Sequence, residues 1–225
     1  MSEQTQEPRA LQRVLNDPVS RRRFMGLAGA GGAASLSVLL AACGSDSGTT
    51  TESTMSAAPA KGGTEQFGKG DLGILNYALT LEYLETAFYA DVIKSGLFKG
   101  SDLATIKTFG SQEAQHVAAL TAAVKQAGGT PAAKPKAKFP LDSAQSVLKL
   151  AGTVENLGAA AYLGQAPNIQ SPEVLASALA IHSVEARHAS ALNTLLGQPI
   201  TPDGAFAKPA DADTVLKSVQ PFIVS

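Results

Sequence analysis

Two decapeptides decide the reading: SQEAQHVAAL at residues 111–120 and SVEARHASAL at residues 183–192 share the pattern S-x-E-A-x-H-x-x-A-L. In each, a glutamate and a histidine stand three apart, Glu113 with His116 and Glu185 with His188, so on a helix both side chains of a pair project from one face. A lone E-x-x-H carries little weight, because surface helices contain it often. Two copies in matched context carry more. A second matched pair lies upstream: EYLETAFY at residues 82–89 and ENLGAAAY at residues 155–162 share E-x-L-x-x-A-x-Y. One helical hairpin occurs twice in the chain.

The apolar spacing around these motifs is helical. Leu75, Ala78, Leu79, Leu84 and Phe88 recur at threes and fours and predict an amphipathic helix over 71–94. A second helix is expected over 103–126, with Ser101 and Asp102 as its cap and the pair Gly128 and Gly129 as its end. A third follows Pro140, starting at 141–143 and running to 164, and a fourth starts at Ser171 and Pro172 and runs to 196. No segment alternates apolar and polar residues, so no sheet is expected. The fold class is all-α, a four-helix bundle.

Short connections make each consecutive pair antiparallel. Between the pairs lies GGTPAAKPKAKFP, residues 128–140, which stretches to about 43 Å at 3.3 Å per residue. A helix of that size is about 36 Å long, so the segment is a crossover long enough to traverse the bundle. Its lysines, Lys134, Lys136 and Lys138, read as a solvated face.

Depth gives an independent check. In an antiparallel hairpin, opposed residues are symmetric about the turn; Glu82 and Glu113 straddle the loop expected at 95–101, and Glu155 and Glu185 the loop expected at 165–171. All four glutamates and both histidines then fall at one level. If that level faces inward, four carboxylates share a small volume, which is prohibitively costly without compensating cations. Two divalent metals would neutralise it.

Here the chain resembles the ferritin-like superfamily of di-iron and di-manganese carboxylate proteins, in which two helices each give a Glu and two each give a Glu-x-x-His. Within it, LNYALTLEYLETAFY and the EARH helix look like bacterial ferritin-like domain proteins related to plant desiccation-associated proteins. The resemblance covers residues 71–200. It implies Glu82, Glu113 and His116 as ligands on one side and Glu155, Glu185 and His188 on the other, with Glu113 and Glu185 bridging two Fe or two Mn ions. Glu85 is the alternative ligand to Glu82; Glu82 is preferred because the repeat partner of Glu85 is Gly158. Tyr89 and Tyr162 lie seven residues past Glu82 and Glu155, on the same faces, placed for hydrogen bonding behind the ligands or for electron donation. His182 reads as a satisfied or exposed histidine.

The rest of the chain sets the setting. Hydrophobic residues make up 44% of the 225, enough for a core, and charged residues 16%. Five of the six arginines lie in the first 23 residues, and from residue 44 on there are 13 basic against 16 acidic residues. No basic face is available for phosphates, so no nucleic-acid partner is expected. The single cysteine, Cys43, excludes an intrachain disulfide framework and zinc motifs built on paired cysteines. With three histidines, metal chemistry must lean on carboxylates.

Residues 20–43, SRRRFMGLAGAGGAASLSVLLAAC, join an arginine cluster to a glycine- and alanine-rich apolar run and a cysteine. The run is too short and glycine-rich for a stable membrane span. SRRRFM resembles a twin-arginine export signal, with Arg21 and Arg22, or Arg22 and Arg23, as the pair, and LAAC resembles the lipobox of bacterial lipoproteins. The resemblance implies recognition by the twin-arginine export machinery, lipidation of Cys43, and a membrane-anchored protein outside the cytoplasm. Residues 44–70, rich in Gly, Ser and Thr, read as a flexible linker; residues 71–200 form the bundle. The tail, 201–225, contains a short helix around 212–219, expected to cover one end of the bundle.

Two functions fit. One is a di-metal oxidoreductase that oxidises Fe(II) or reduces O2 or peroxide under oxidative or desiccation stress. The other is a metal-binding or stress-protection module without turnover. A mineral-storing cage fits poorly with a lipid tether on every subunit, while a smaller homo-oligomer stays open.

Overall fold

The computed structural model describes residues 63–224. The export signal at Arg21 and Arg22, the lipidation site at Cys43 and most of the expected linker lie outside the described residues. Five α-helices follow: α1 (Gly70–Ser95), α2 (Gly100–Gln126), α3 (Ala144–Gln165), α4 (Pro172–Leu195) and α5 (Ala212–Val219). The class is all-α, and the first four helices form the bundle read from the sequence. Among the described residues, no helix is long and apolar enough to cross a membrane.

Local chemistry sets the helix ends. α1 stops at Gly96, whose φ of 69° is the left-handed conformation that glycine adopts without strain. α2 starts at Gly100, three residues before its expected first residue. Ser101 and Asp102 are therefore inside the first turn and do not cap it; Leu103 N–H already donates to Lys99 O at 3.3 Å. α3 has a capping box in which Ser143 and Ser146 satisfy each other's backbone N–H groups. α4 has Ser171 as N-cap and proline in the first turn, and α5 is capped by Asp211, which accepts from Thr214 N–H.

The order of ends is up, down, down, up. The Asp71 carboxylate accepts from the backbone of Gln170 and Ser171 at 2.9 and 2.8 Å, so α1 and α4 start at the same end. The crossover leaves that end beside Asn76, whose amide donates to Thr130 O and accepts from Ala132 N–H. It reaches the other end at Phe139, packed edge-on against Phe88 at 5.2 Å. Lys134, Lys136 and Lys138 are exposed along it.

Three features differ from the sequence reading. Residues 63–70 are not a linker: Glu65–Phe67 forms a 3-10 turn, Phe67 O accepts from Asn76 Nδ2, and the Phe67 ring packs on Tyr77. Gly73 permits this, since a Cβ there would stand 2.3 Å from Gly68 O. The tail does not cap an end. α5 lies along the side of α1 and α3, where Ala212, Val215 and Val219 share a core with Tyr77, Leu81, Leu84 and Ala161. Finally, a two-residue antiparallel ladder does exist, pairing Lys136 with Val224 and Ala137 with Ile223. It ties the tail to the crossover.

Because α5 covers its outer side, α1 is buried almost all round, including Ile74 through Glu82 without a break. It is the central helix of the fold and not a surface amphipathic one. Above the middle of the bundle an aromatic-rich core gathers Phe88, Phe109, Phe139 and Leu192; below it an aliphatic one gathers Leu79, Leu120, Val124 and Ile181. Between the two cores lies a layer of acids.

Candidate metal centre

Glu82 comes from the middle of α1, Glu113 and His116 from α2, Glu155 from α3, and Glu185 and His188 from α4. The four glutamates are completely buried, and the histidines nearly so. Donor atoms of Glu82, Glu113, His116 and Glu185 all lie within 4.8 Å of one another, as do those of Glu113, Glu155, Glu185 and His188. The two groups of four share Glu113 and Glu185. The six residues read from the repeats therefore meet in one place, with one carboxylate from each helix.

The contacts inside the layer run across the bundle. His116 Nδ1 lies 2.9 Å from Glu113 Oε2, 3.1 Å from Glu185 Oε1 and 3.3 Å from Glu82 Oε2. His188 Nδ1 lies 2.9 Å from Glu113 Oε1 and 3.2 Å from Glu155 Oε2. Yet Glu113 Oε1 and both oxygens of Glu185 are buried without a hydrogen bond. Those histidine contacts have ion-pair distances without the alignment of a hydrogen bond. A buried acceptor left unmatched is expensive, and these three belong to the two shared carboxylates.

A ring of polar groups holds these six residues from behind. Tyr162 Oη donates to Glu82 Oε1 at 2.6 Å, and Tyr89 Oη donates to Glu155 Oε1. Each tyrosine supports the glutamate of the other hairpin, a reciprocity that follows from the repeat. His188 Nε2 meets Gln112 Oε1 at 2.6 Å; as the amide oxygen can only accept, Nε2 carries the proton and Nδ1 is left to face the acids. Phe109 stacks on the His188 ring at 4.1 Å and 27°. Gln112 and Phe109 were not singled out by sequence. Gln112 precedes Glu113 directly, but its repeat counterpart is Val184, so the repeat gives no signal for it.

Glu85 is buried as well, but it belongs to neither group of four. Its Oε1 would stand 2.9 Å from a Cβ on Gly158, so the missing side chain at the repeat position is what makes room for it. His182 Nδ1 lies 3.0 Å from Ala159 O and is a satisfied, half-buried histidine away from the layer.

Burial and mutual repulsion govern the protons here. Burial pushes Glu82 up to about 7 against the opposing pull of His116. Glu185 and Glu85 are pushed well above the carboxylate range by burial and by the neighbouring glutamates. Glu113 goes the other way: burial would raise it, but the hydrogen bond with His116 and the close, charged His188 ring outweigh burial and hold it at about 2. The histidines respond in kind. Burial would lower both, but carboxylate partners lift His116 to about 12 and His188 to about 9. Tyr89 and Tyr162 are pushed well up by burial and by the carboxylates that they hydrogen-bond. Without added cations, the layer balances its negative charge with protons.

Four glutamates and two histidines, oxygen-rich and free of thiolate, form a donor set for hard or borderline divalent ions such as iron and manganese. The residues present fit a metal site. No curated protein matches the chain. The model of the ferritin-like domain family matches residues 70–198, from the first residue of α1 to just past α4 and more than half of the 225 residues, and the chain belongs to that family.

Proposed function

We propose that the layer binds two iron or two manganese ions, and that the protein oxidises Fe(II) or reduces O2 or peroxide in oxidative or desiccation stress. The observation that carries this reading is the pair of four-donor groups that share Glu113 and Glu185, three of whose buried oxygens lack a partner. Glu82 and His116 would complete one ion's shell and Glu155 and His188 the other's. When bound, such ions would supply the one-electron redox chemistry that Fe(II) oxidation or the reduction of O2 or peroxide needs.

The chain's own groups prepare that chemistry. Tyr162 and Tyr89 each fix one oxygen of a terminal glutamate, leaving the other oxygen directed at the neighbouring histidine. Gln112 fixes the His188 tautomer and Phe109 its ring plane. The apolar cores above and below flank the layer, so the acids sit among groups that solvate charge poorly.

The setting belongs to the same proposal. Arg21 and Arg22 would direct the folded, metal-loaded chain to the twin-arginine machinery, and lipid on Cys43 would hold it to the membrane outside the cytoplasm. The support is the order of the SRRRFM and LAAC motifs within residues 20–43. Replacing Cys43 by Ala in the host cell and following membrane and soluble fractions tests the anchor; unchanged membrane retention would refute it.

Anaerobic loading with Fe(II) followed by exposure to oxygen tests the activity. The expected result is a fast optical change in the near ultraviolet with the six ligands intact, and none in Glu113→Ala. Bound metal with no change would instead support a binding module without turnover.

A further inference from the structure

The two halves of the acid layer come from one repeated hairpin, yet they are not furnished alike. Each half has its tyrosine, Tyr162 on Glu82 and Tyr89 on Glu155. Beyond that, the support is one-sided. Gln112 Oε1 accepts from His188 Nε2 at 2.6 Å, and Phe109 covers the His188 ring at 4.1 Å. The positions that correspond to them by repeat are Val184 and Ile181, and neither side chain can accept a hydrogen bond. His116 makes its hydrogen bonds through Nδ1 alone, to Glu113 and Glu82.

Exposure follows the same division. The His116 side chain is 11% exposed and that of His188 3%. His116 also lies on the open side of the layer. A cavity of about 470 Å³ there is lined by Tyr162 and by Ala119 and Leu120, the next turn of α2 after His116, and its wall includes the exposed Glu173 and Ser177. His188 lies on the other side, under Phe109 of the aromatic core. Glu85, the remaining group without a repeat counterpart, crowds the same point on Gly158 as Glu185 Oε2. Since Glu185 belongs to both groups of four, Glu85 favours neither half. A hydrogen bond behind a metal-facing imidazole fixes its orientation and raises its basicity, and losing that support costs about 10–100-fold in affinity.

We propose that the two halves bind ions in a fixed order. The Glu155–His188 half takes the first ion and keeps it; the Glu82–His116 half is the exchangeable position, where the second ion enters and leaves past the partly exposed His116. Gln112 is the positioning residue that sets this order. The inference rests on the two-ion reading above and adds an inequality that the reading does not itself require.

The test titrates the full chain anaerobically with Mn(II) and, separately, with Fe(II), reading the free ion with a chromophoric chelator, so that no turnover is needed. Wild type should bind the first ion about tenfold or more tighter than the second, and EDTA should strip one ion about tenfold or more faster than the other. Gln112→Leu should weaken the first ion about 10–100-fold. Gln112→Glu, which keeps an acceptor for His188 Nε2, should return it to within about threefold of wild type, a rescue that a merely structural role would not give. His188→Ala should weaken the first ion about tenfold or more beyond the loss in His116→Ala; if circular dichroism shows either histidine variant unfolded, the two Gln112 variants decide. Two ions bound alike in wild type, a first ion indifferent to Gln112→Leu, or a larger loss of the first ion in His116→Ala would overturn the order of binding and leave the two-ion reading standing. A wild-type chain that binds neither metal would overturn both.

Discussion

The glutamates of the central layer would be held in two incompatible ways, by protons when no cation is present and by metal in the proposed loaded state. Glu82 at about 7, His188 at about 9 and His116 at about 12 all lie above their ordinary values of 4.5, 6.5 and 6.5. A group raised in this way contributes stability below its ordinary value and loses that contribution as pH rises toward the folded one. Metal-free protein should therefore lose stability from about pH 4.5 upward, through about pH 9 as Glu82 and His188 lose their protons and on toward about pH 12 through His116, measured by urea unfolding, whereas Glu113, held at about 2, costs stability only as pH falls below 4.5. Burial and the neighbouring glutamates disfavour the charged form of Glu185, so the neutral isostere Glu185→Gln should change metal-free stability by no more than about 1 kcal/mol yet abolish metal uptake. Tyr162→Phe and Gln112→Leu remove support behind a ligand and should weaken metal binding about 10–100-fold, read by competition with a chromophoric chelator. The convergence of the six residues was legible because a spacing of three on a helix fixes a face, and the repeat doubles it. Gln112 and Phe109 were not, since their contacts to His188 depend on how α2 packs against α4, which no local spacing encodes.

At the level of elements, the four bundle helices were visible to within three residues at each end, because apolar period, Ser143, Ser171 and Gly128 mark them chemically. The tail was visible as a helix but not in position. GILNYALTL in α1 is apolar on more than one face, which signals burial on two sides, and α5 is what covers the second side. The two-residue ladder between crossover and tail has no sequence pattern to detect. Gly164 shows how closely the tail is seated: a Cβ there would stand 1.9 Å from Ala210 O, backbone that cannot yield cheaply. Gly164→Ala should destabilise by about 1–3 kcal/mol and raise amide exchange in α5 and Ile223–Val224, while Ala207→Ser, at an exposed position, should leave the docked tail protected. Equal exchange in both variants would mean that the tail is not held through that contact.

For the whole molecule, the acid layer divides the bundle into an aromatic core above and an aliphatic core with a cavity below. Two hairpins that repeat in sequence bring one carboxylate each from four helices to the same depth, a convergence no single helix would justify by itself. Cations that bind only the folded chain stabilise it by mass action, so loading should raise the melting temperature by roughly 4 °C or more for each 2 kcal/mol gained, and the gain should grow with pH as competing protons leave. The central claim is that these buried acids exist to hold metal. It is tested most directly by titrating the anaerobic chain with Fe(II) or Mn(II) at about neutral pH and counting bound ions by elemental analysis after desalting, in wild type and in Glu113→Ala, Glu185→Ala. Two ions per chain in the first and none in the second is the predicted result; a wild-type chain that takes up neither metal, or a double variant that retains both ions, would contradict it.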